Sequence, residues 1–342
     1  MVLTGLTSKT LASAAILREI SSLQIPSMPR DRMNHGPRRI IKVLSKMLLA
    51  RRPLGGLTTG IVLVVLACFL FVTQDSISKQ LMLTLTVVQV IWGRFLCQTA
   101  VITSYLVATG GTRFLHTRHP WLQILRGMCQ VGTTGMVYIS LPHVPIGDIT
   151  AIVFCSPIIV TVLSVIFLKE KIGKHRVAAV IIGFVGVYLI VLPGSSETSI
   201  YHLLTLAAAF TNAMFIMMTR RLAGPEETSA TQFNTTTVGM VVFTLILVFG
   251  EGFPPLEWAP LFLVMGVLAA VGHFCMVKAF AYASASVLSP YLYAQVIFAA
   301  AFSVFWFGDT LRPTMLAGTA LLIASGMYIW WRERTLGIQR AE

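Results

Sequence analysis

A chain of 342 residues that is 56% hydrophobic and only 11% charged lies far outside the soluble balance, in which about a quarter of residues are charged, so its solvent is mostly lipid. The net charge of +13 does not indicate a nucleic-acid partner: a protein of that kind gathers its cations on a folded polar domain, and here they sit in short segments between apolar runs. The five cysteines lie inside apolar stretches without C-x-x-C spacing and the seven histidines form no H-E-x-x-H, so the sequence implies no metal and no cofactor.

In chain order, residues 1–56 form a basic tail rich in Ser and Pro, too polar around Leu11 to Ile20 to be a signal peptide. The run Ile40 to Leu49 fits either a basic amphipathic helix on the membrane surface or disorder, the simpler reading; Met33 and Met47 stand as alternative starts. Ten segments follow that each hold about 20 mostly apolar residues, enough to cross ~30 Å of hydrocarbon. They are 57–78, 86–108, 121–141, 146–168, 175–193, 200–220, 230–250, 258–282, 286–307 and 313–331, with a short tail at 333–342. The chain is thus expected to be an all-α integral membrane protein.

The cations test that count. Ten Lys and Arg lie in the tail, two in Arg113 to Arg118, four in Lys169 to Arg176, two at Arg220 and Arg221 and three after residue 331, against two, Lys79 and Arg312, on the other side. Such asymmetry places both termini in the cytoplasm of a cell with a bacterial-type inner membrane. The loops His143 to Pro145, Gly194 to Glu197 and Glu251 to Pro255 carry acids or nothing.

Asp148 to Val191 and Val287 to Trp331 share a pattern at an offset of 139 to 140 residues: Phe167-Leu168-Lys169-Glu170-Lys171 matches Phe305-Trp306-Phe307-Gly308-Asp309-Thr310, and Gly186-Val187-Tyr188 matches Gly326-Met327-Tyr328. Five helices per repeat is an odd number, so the repeats, 57–193 and 199–332, run through the membrane in opposite directions. Inverted repeats of this kind are an architecture of secondary transporters, with the substrate site between the halves.

The residues Gln74-Asp75-x-x-Ser78-Lys79, Gln89-Val90-Ile91-Trp92-x-Arg94-Phe95, Leu125-Arg126-Gly127 and the run Pro145 to Gly173 with its Ser156-Pro157 resemble the ten-helix drug/metabolite transporter superfamily in its EamA-type branch. The resemblance covers about residues 57 to 332, with Lys169 where the family usually has Gly. It implies a carrier of a small organic metabolite, similar to bacterial members that take up riboflavin or S-adenosylmethionine, on a frame shared with exporters of amino acids. A membrane-embedded transferase, the contrasting reading, needs a cluster of acids or histidines at one interface, and the short loops offer none. Homodimerisation is left open, because apolar faces toward lipid and toward a partner look alike.

Ionisable and polar groups inside the spans are the candidate site. Arg94 lies roughly 13 Å below the outer surface by helical rise, either pairing with Asp75 or gripping an anionic or carbonyl-bearing substrate. Arg126 sits close enough to the cytoplasmic interface to reach it. Asp75 and Lys79 stand at i, i+4, as a pair or with Asp75 carrying a coupled proton; Asp148 opens the fourth span as a cap or a substrate contact. His273 is expected to be neutral and hydrogen-bonded, with Lys278 snorkelling at the cytoplasmic end. Gln130, Asn212 and Gln295 either hold helices together or line a cavity, and one of Tyr291 and Tyr293 faces it. Pro157 and Pro290 interrupt the fourth and ninth spans, which places the substrate cavity between them, walled by the second, third and eighth. Ala179-x-x-x-Gly183 and Ala320-x-x-x-Ala324 are the expected close seam of the fifth and tenth.

Overall fold

The computed structural model describes residues 54–168, 173–191, 199–222 and 225–335, so the readings made for the tail before residue 54, for Lys169 to Lys171, for Gly194 to Glu197 and for the last residues of the chain fall outside the described residues. Among the described residues twelve α-helices follow one another: α1 Leu54–Leu81, α2 Val87–Gly110, α3 Pro120–Ser140, α4 Ile146–Val153, α5 Ser156–Leu168, α6 Lys174–Val191, α7 Ile200–Leu222, α8 Thr228–Ile246, α9 Ala259–Tyr282, α10 Ala285–Leu288, α11 Ala294–Phe305 and α12 Pro313–Thr335. α4 and α5 are one span interrupted at Phe154 and Cys155, and α10 and α11 one span interrupted by the 3-10 turn Ser289–Tyr293, so the described residues make ten crossings.

Among the described residues seven spans are long and apolar enough to cross a membrane by length and composition, and two more, Val177–Val191 and Ser289–Phe305, are shorter apolar helices. α3 is the tenth. Its low apolarity has a physical cause: Gln123, Arg126, Thr133, Thr134, Tyr138 and Ser140 are buried, while Trp121, Ile124, Leu125, Met128 and Ile139 on the other face are exposed. Polar inside and apolar outside reverses the pattern of a helix in water and fits a helix whose outer face meets lipid.

The packing closes a ring: α1 lies against α9, α9 against α2, α2 against α8, α8 against α3, α3 against α7, α7 against α4 and α5, α4 against α11, and α11 against α1, with α6 and α12 paired behind. Exchanging the first five spans for the last five maps this set of neighbours onto itself, which is the two-repeat arrangement read from the sequence. Phe154 and Tyr293, 139 residues apart, meet with ring centroids 5.5 Å apart where the two broken spans face each other. The ring adds α1, α7 and α8 to the walls expected from the sequence.

The α6/α12 seam is built differently from the expected one. A Cβ added at Gly186 would lie 2.7 Å from the carbonyl oxygen of Gly318, and one at Gly318 only 2.4 Å from that of Gly186, so the two backbones touch where any side chain would part them. Ala179 and Gly183 face inward, but Ala320 and Ala324 are exposed. The small-residue spacing in α12 was right in kind and misplaced by part of a turn.

Candidate functional site

α1, α2 and α3 bring five polar side chains together, about 10 Å along the helices from the end at which α1 finishes, called here the far end. At their centre is Tyr138, fully buried. Its hydroxyl accepts from Arg94 Nη1 at 3.0 Å and from Gln74 Nε2 at 2.6 Å, and donates to Asp75 Oδ1 at 3.3 Å. Gln74 Nε2 also donates to Asp75 Oδ1 at 3.0 Å, and the Ser78 hydroxyl, 3.1 Å from that of Tyr138, donates to the Gln74 carbonyl at 2.8 Å. The spacing explains the convergence: Gln74 and Ser78 are one helical turn apart on α1, while Tyr138 continues the polar stripe of α3 through Gln123, Gln130 and Thr134.

Arg94 makes no ion pair within 4.0 Å among the described residues, and its Nε is buried without a hydrogen-bond partner. The guanidinium stands 5.4 Å from the Tyr138 ring centroid and 5.6 Å from that of Phe95, so aromatic faces partly offset the missing carboxylate. One turn deeper on α2, Gln98 Nε2 lies 3.5 Å from His273 Nδ1. That nitrogen is 2.8 Å from the Ala269 carbonyl, which assigns its proton to Nδ1, and Phe71 meets the ring edge-on at 4.9 Å.

The expected pairing of Asp75 with Lys79 is not made. Lys79 Nζ turns instead to Asp309 Oδ2 at 3.9 Å, the Val144 carbonyl at 3.4 Å and the Phe307 ring at 4.6 Å. Asp148 does not cap α4 through its side chain: the N-cap is Pro145 without a side-chain cap bond, and Asp148 Oδ2 receives Arg312 and lies 3.6 Å from His202 Nε2. A buried carboxylate gains more from a guanidinium than from the partial charge of one helix end. Arg312 also donates to the Ile190 carbonyl at 3.0 Å, closing the last turn of α6. Each pair joins the two repeats at the far end.

At the opposite, near end, Arg126 is buried rather than drawn to the interface. It donates to Thr219 Oγ1 at 2.7 Å, to the Thr231 carbonyl at 3.0 Å and to Thr235 Oγ1 at 2.5 Å, over the Phe215 ring. Beside it Glu226 Oε1 accepts from Thr117 at 2.9 Å and from the backbone N–H groups of Arg118 and His119 at 2.7 and 2.8 Å. Burial raises the pKa of this carboxyl, but these hydrogen bonds outweigh it and hold the group below its usual value.

The remaining candidates separate. Asn212 Nδ2 donates to Ser156 Oγ at 3.0 Å, and Gln130 only to Thr134 in its own helix at 3.3 Å. Tyr293 faces Phe154 with its hydroxyl against Gly326, whereas Tyr291 is 39% exposed; Gln295 is half-buried at the start of α11. Pro157 is exposed, and the Val153 carbonyl that its missing N–H would leave free accepts the Ser156 hydroxyl at 2.6 Å, so a neighbouring side chain rather than a cavity satisfies the break. A groove of about 510 Å³ lies elsewhere, between Leu96, Thr99, Thr103 and Val107 of α2 and Met240 of α8; none of the expected residues lines it.

Ten crossings in two equivalent sets of five, with buried polar groups between the helices and apolar surface outside, define a multi-pass membrane protein of the inverted-repeat kind. The chain belongs to the EamA-like transporter family, whose profile matches residues 58–192 and 199–331, one copy per repeat. It is 28% identical over 246 residues to a riboflavin transporter of Brucella anthropi, covering 67% of this chain and 83% of that one. It is also similar to an S-adenosylmethionine uptake transporter of Rickettsia bellii, 27% identical over 76% of this chain and 89% of the relative. A pseudopaline exporter of Pseudomonas aeruginosa is 24% identical over 79% and 95%. One solved crystal structure, 16% identical, superposes with a TM-score of 0.55 over 82% of this chain and 98% of that one, a likeness of fold alone.

Proposed function

We propose that the chain is a secondary carrier that moves a small organic metabolite across a cell inner membrane by alternating access, with both termini in the cytoplasm, and that Arg94 grips the metabolite. The observation that carries this reading is an arginine held between helices without a carboxylate partner and with Nε unpartnered, inside a fold that belongs to a transporter family. A guanidinium with no direct carboxylate contact and a buried Nε left without a hydrogen bond is costly, and a ligand oxygen is the partner that relieves it. Lipid and the metabolite are the partners in this reading, and carriage rather than chemical conversion of the metabolite is the activity.

The substrates named for relatives supply the first probes. S-adenosylmethionine carries a carboxylate and riboflavin a pair of ring carbonyls, both acceptors for a guanidinium. The reading is tested by counterflow: purified protein in vesicles preloaded with unlabelled S-adenosylmethionine or riboflavin should accumulate the labelled compound transiently. Arg94→Ala should lose about 100-fold or more of that flux, the effect of removing a charged group's hydrogen bonds. Wild-type flux in a folded, inserted Arg94→Ala would falsify the assignment of Arg94.

Relatives named for uptake and for export occur together, which fits a frame whose direction follows from coupling rather than from the fold. Import is the reading we adopt, since three relatives above 25% identity are named for S-adenosylmethionine uptake, beside two named as riboflavin transporters.

A further inference from the structure

We propose that Tyr138 couples a proton on Asp75 to a ligand oxygen on Arg94, so that proton and substrate bind together and cross together. This rests on the carrier reading with Arg94 as the grip, and it follows from a hydrogen-bond inventory. A phenol hydroxyl has one proton and two acceptor positions. Arg94 Nη1 and Gln74 Nε2 fill both acceptor positions, at 3.0 and 2.6 Å. The single proton faces two acceptors, Asp75 Oδ1 at 3.3 Å and Ser78 Oγ at 3.1 Å. The Ser78 proton is committed to the Gln74 carbonyl at 2.8 Å, so Ser78 can only accept here.

With Asp75 ionised this arrangement is complete. Asp75 accepts from Gln74 and Tyr138, and Arg94 is held by Tyr138. With Asp75 protonated on Oδ1, that oxygen becomes a donor, and the acceptor beside it is the Tyr138 oxygen, whose two positions are occupied. The proton displaces the longer of the two bonds, that from Arg94 Nη1 at 3.0 Å rather than that from Gln74 at 2.6 Å, and leaves the guanidinium free for a ligand oxygen, while the Tyr138 proton moves to Ser78. Run in the other direction, a ligand that draws Arg94 away vacates an acceptor position and favours protonation of Asp75.

Charge gives the same sign. Arg94 and Asp75 balance when the site is empty; a bound carboxylate leaves one negative charge in a low-dielectric interior, and one proton on Asp75 restores neutrality. The other charged or titratable groups on the packed elements do not supply this balance. Lys79 on α1 is turned to Asp309; His273 on α9 engages the Ala269 carbonyl; Arg126 on α3 is bonded to threonines of α7 and α8 at the near end. Linkage then requires that proton and substrate raise each other's affinity by the same factor, commonly about 5- to 150-fold.

The test uses the whole chain in vesicles with labelled S-adenosylmethionine and riboflavin as probes. An imposed gradient, acidic outside, should speed uptake by the wild type at least about 5-fold, with the internal pH falling as substrate enters. Tyr138→Phe keeps the ring and removes the oxygen; whatever its basal flux, the ratio of its uptake with and without the gradient should fall to about one. Asp75→Asn should do the same, and serves where Tyr138→Phe does not insert. Counterflow by the wild type without any response to the gradient, or full acceleration in Tyr138→Phe, overturns the coupling alone. Absence of counterflow for both probes overturns the carrier reading and the coupling with it.

Discussion

The two ends of the helix ring are held by different chemistry. At the far end the repeats meet through pairs of opposite charges, Asp148 with Arg312 and Lys79 with Asp309. At the near end, Arg126 from the first repeat is held by hydroxyl and carbonyl oxygens of Thr219, Thr231 and Thr235 in the second, and Glu226 holds backbone N–H groups and lies 3.2 Å from the His119 ring nitrogen, a pair that is ionic only when the imidazole is protonated. An ion pair keeps part of its attraction as the partners separate, whereas a hydrogen bond to a neutral oxygen fades within a fraction of an ångström. A carrier that opens one end at a time needs ties that break separately, and unlike ties can be tuned separately.

The strongest way to break this comparison is at Asp148, which is 3% exposed. Arg312→Ala leaves the carboxylate with His202 as its one ion partner within 4.0 Å among the described residues and removes the donor from the Ile190 carbonyl. Removing one partner of a buried pair costs about 3–5 kcal/mol. The protein should melt at a lower temperature, and amide exchange should rise in 146–153 and in the last turn of α6 while the near-end loop 113–119 stays protected. Equal exchange at both ends would mean that the ends are not independent.

A finer cut comes from Lys79 and Asp309, whose side chains are 15% and 24% exposed at 3.9 Å. Pairs of this exposure contribute about 1 kcal/mol or less. A double-mutant cycle with Lys79→Met and Asp309→Asn should therefore give a coupling several-fold smaller than the loss in Arg312→Ala, read from melting in detergent. A larger coupling would make Lys79, not Arg312, the main tie of the far end.

Much of this architecture was legible in the sequence because the bilayer restricts the options: span length, the distribution of Lys and Arg, and the odd number of helices per repeat lead to ten crossings and inverted halves. The side-chain partners were less legible, because partners in this fold are distant in sequence. Asp148 and Arg312 are 164 residues apart, Arg94 and Tyr138 44. Two signals were nonetheless present. Lys79 and Arg312 were the two cations on the sparsely charged side, and both are neutralised by an aspartate of the other repeat, so an exception to the charge distribution marked an ion pair. Tyr138 falls on the stripe of Gln123, Gln130 and Thr134 at helical spacing, but a tyrosine near a helix end also fits an interfacial aromatic belt, which concealed it. Glu226 had no local signal; its partners lie on a loop more than 100 residues earlier.

Glu226 gives the smallest and most specific effect, and it acts on the near end alone. Its hydrogen bonds hold the folded-state pKa below the ordinary glutamate value of 4.5, and a depressed carboxyl pKa contributes stability that is fully present above the unfolded value and lost as pH falls through the folded one. Lowering the pH from neutral through the folded-state value, below 4.5, should loosen the contact with Thr117 and His119, seen as a fall in amide protection at 113–119 relative to the intrinsic exchange rate at each pH, while 146–153 changes less. Glu226→Gln keeps the shape of the side chain and removes the titration, so protection at 113–119 should be lowered at neutral pH and insensitive to acid over this range. An acid response that survives in Glu226→Gln would move the pH sensitivity of the near end to another group, with Glu226 reduced to a neutral acceptor for two backbone N–H groups.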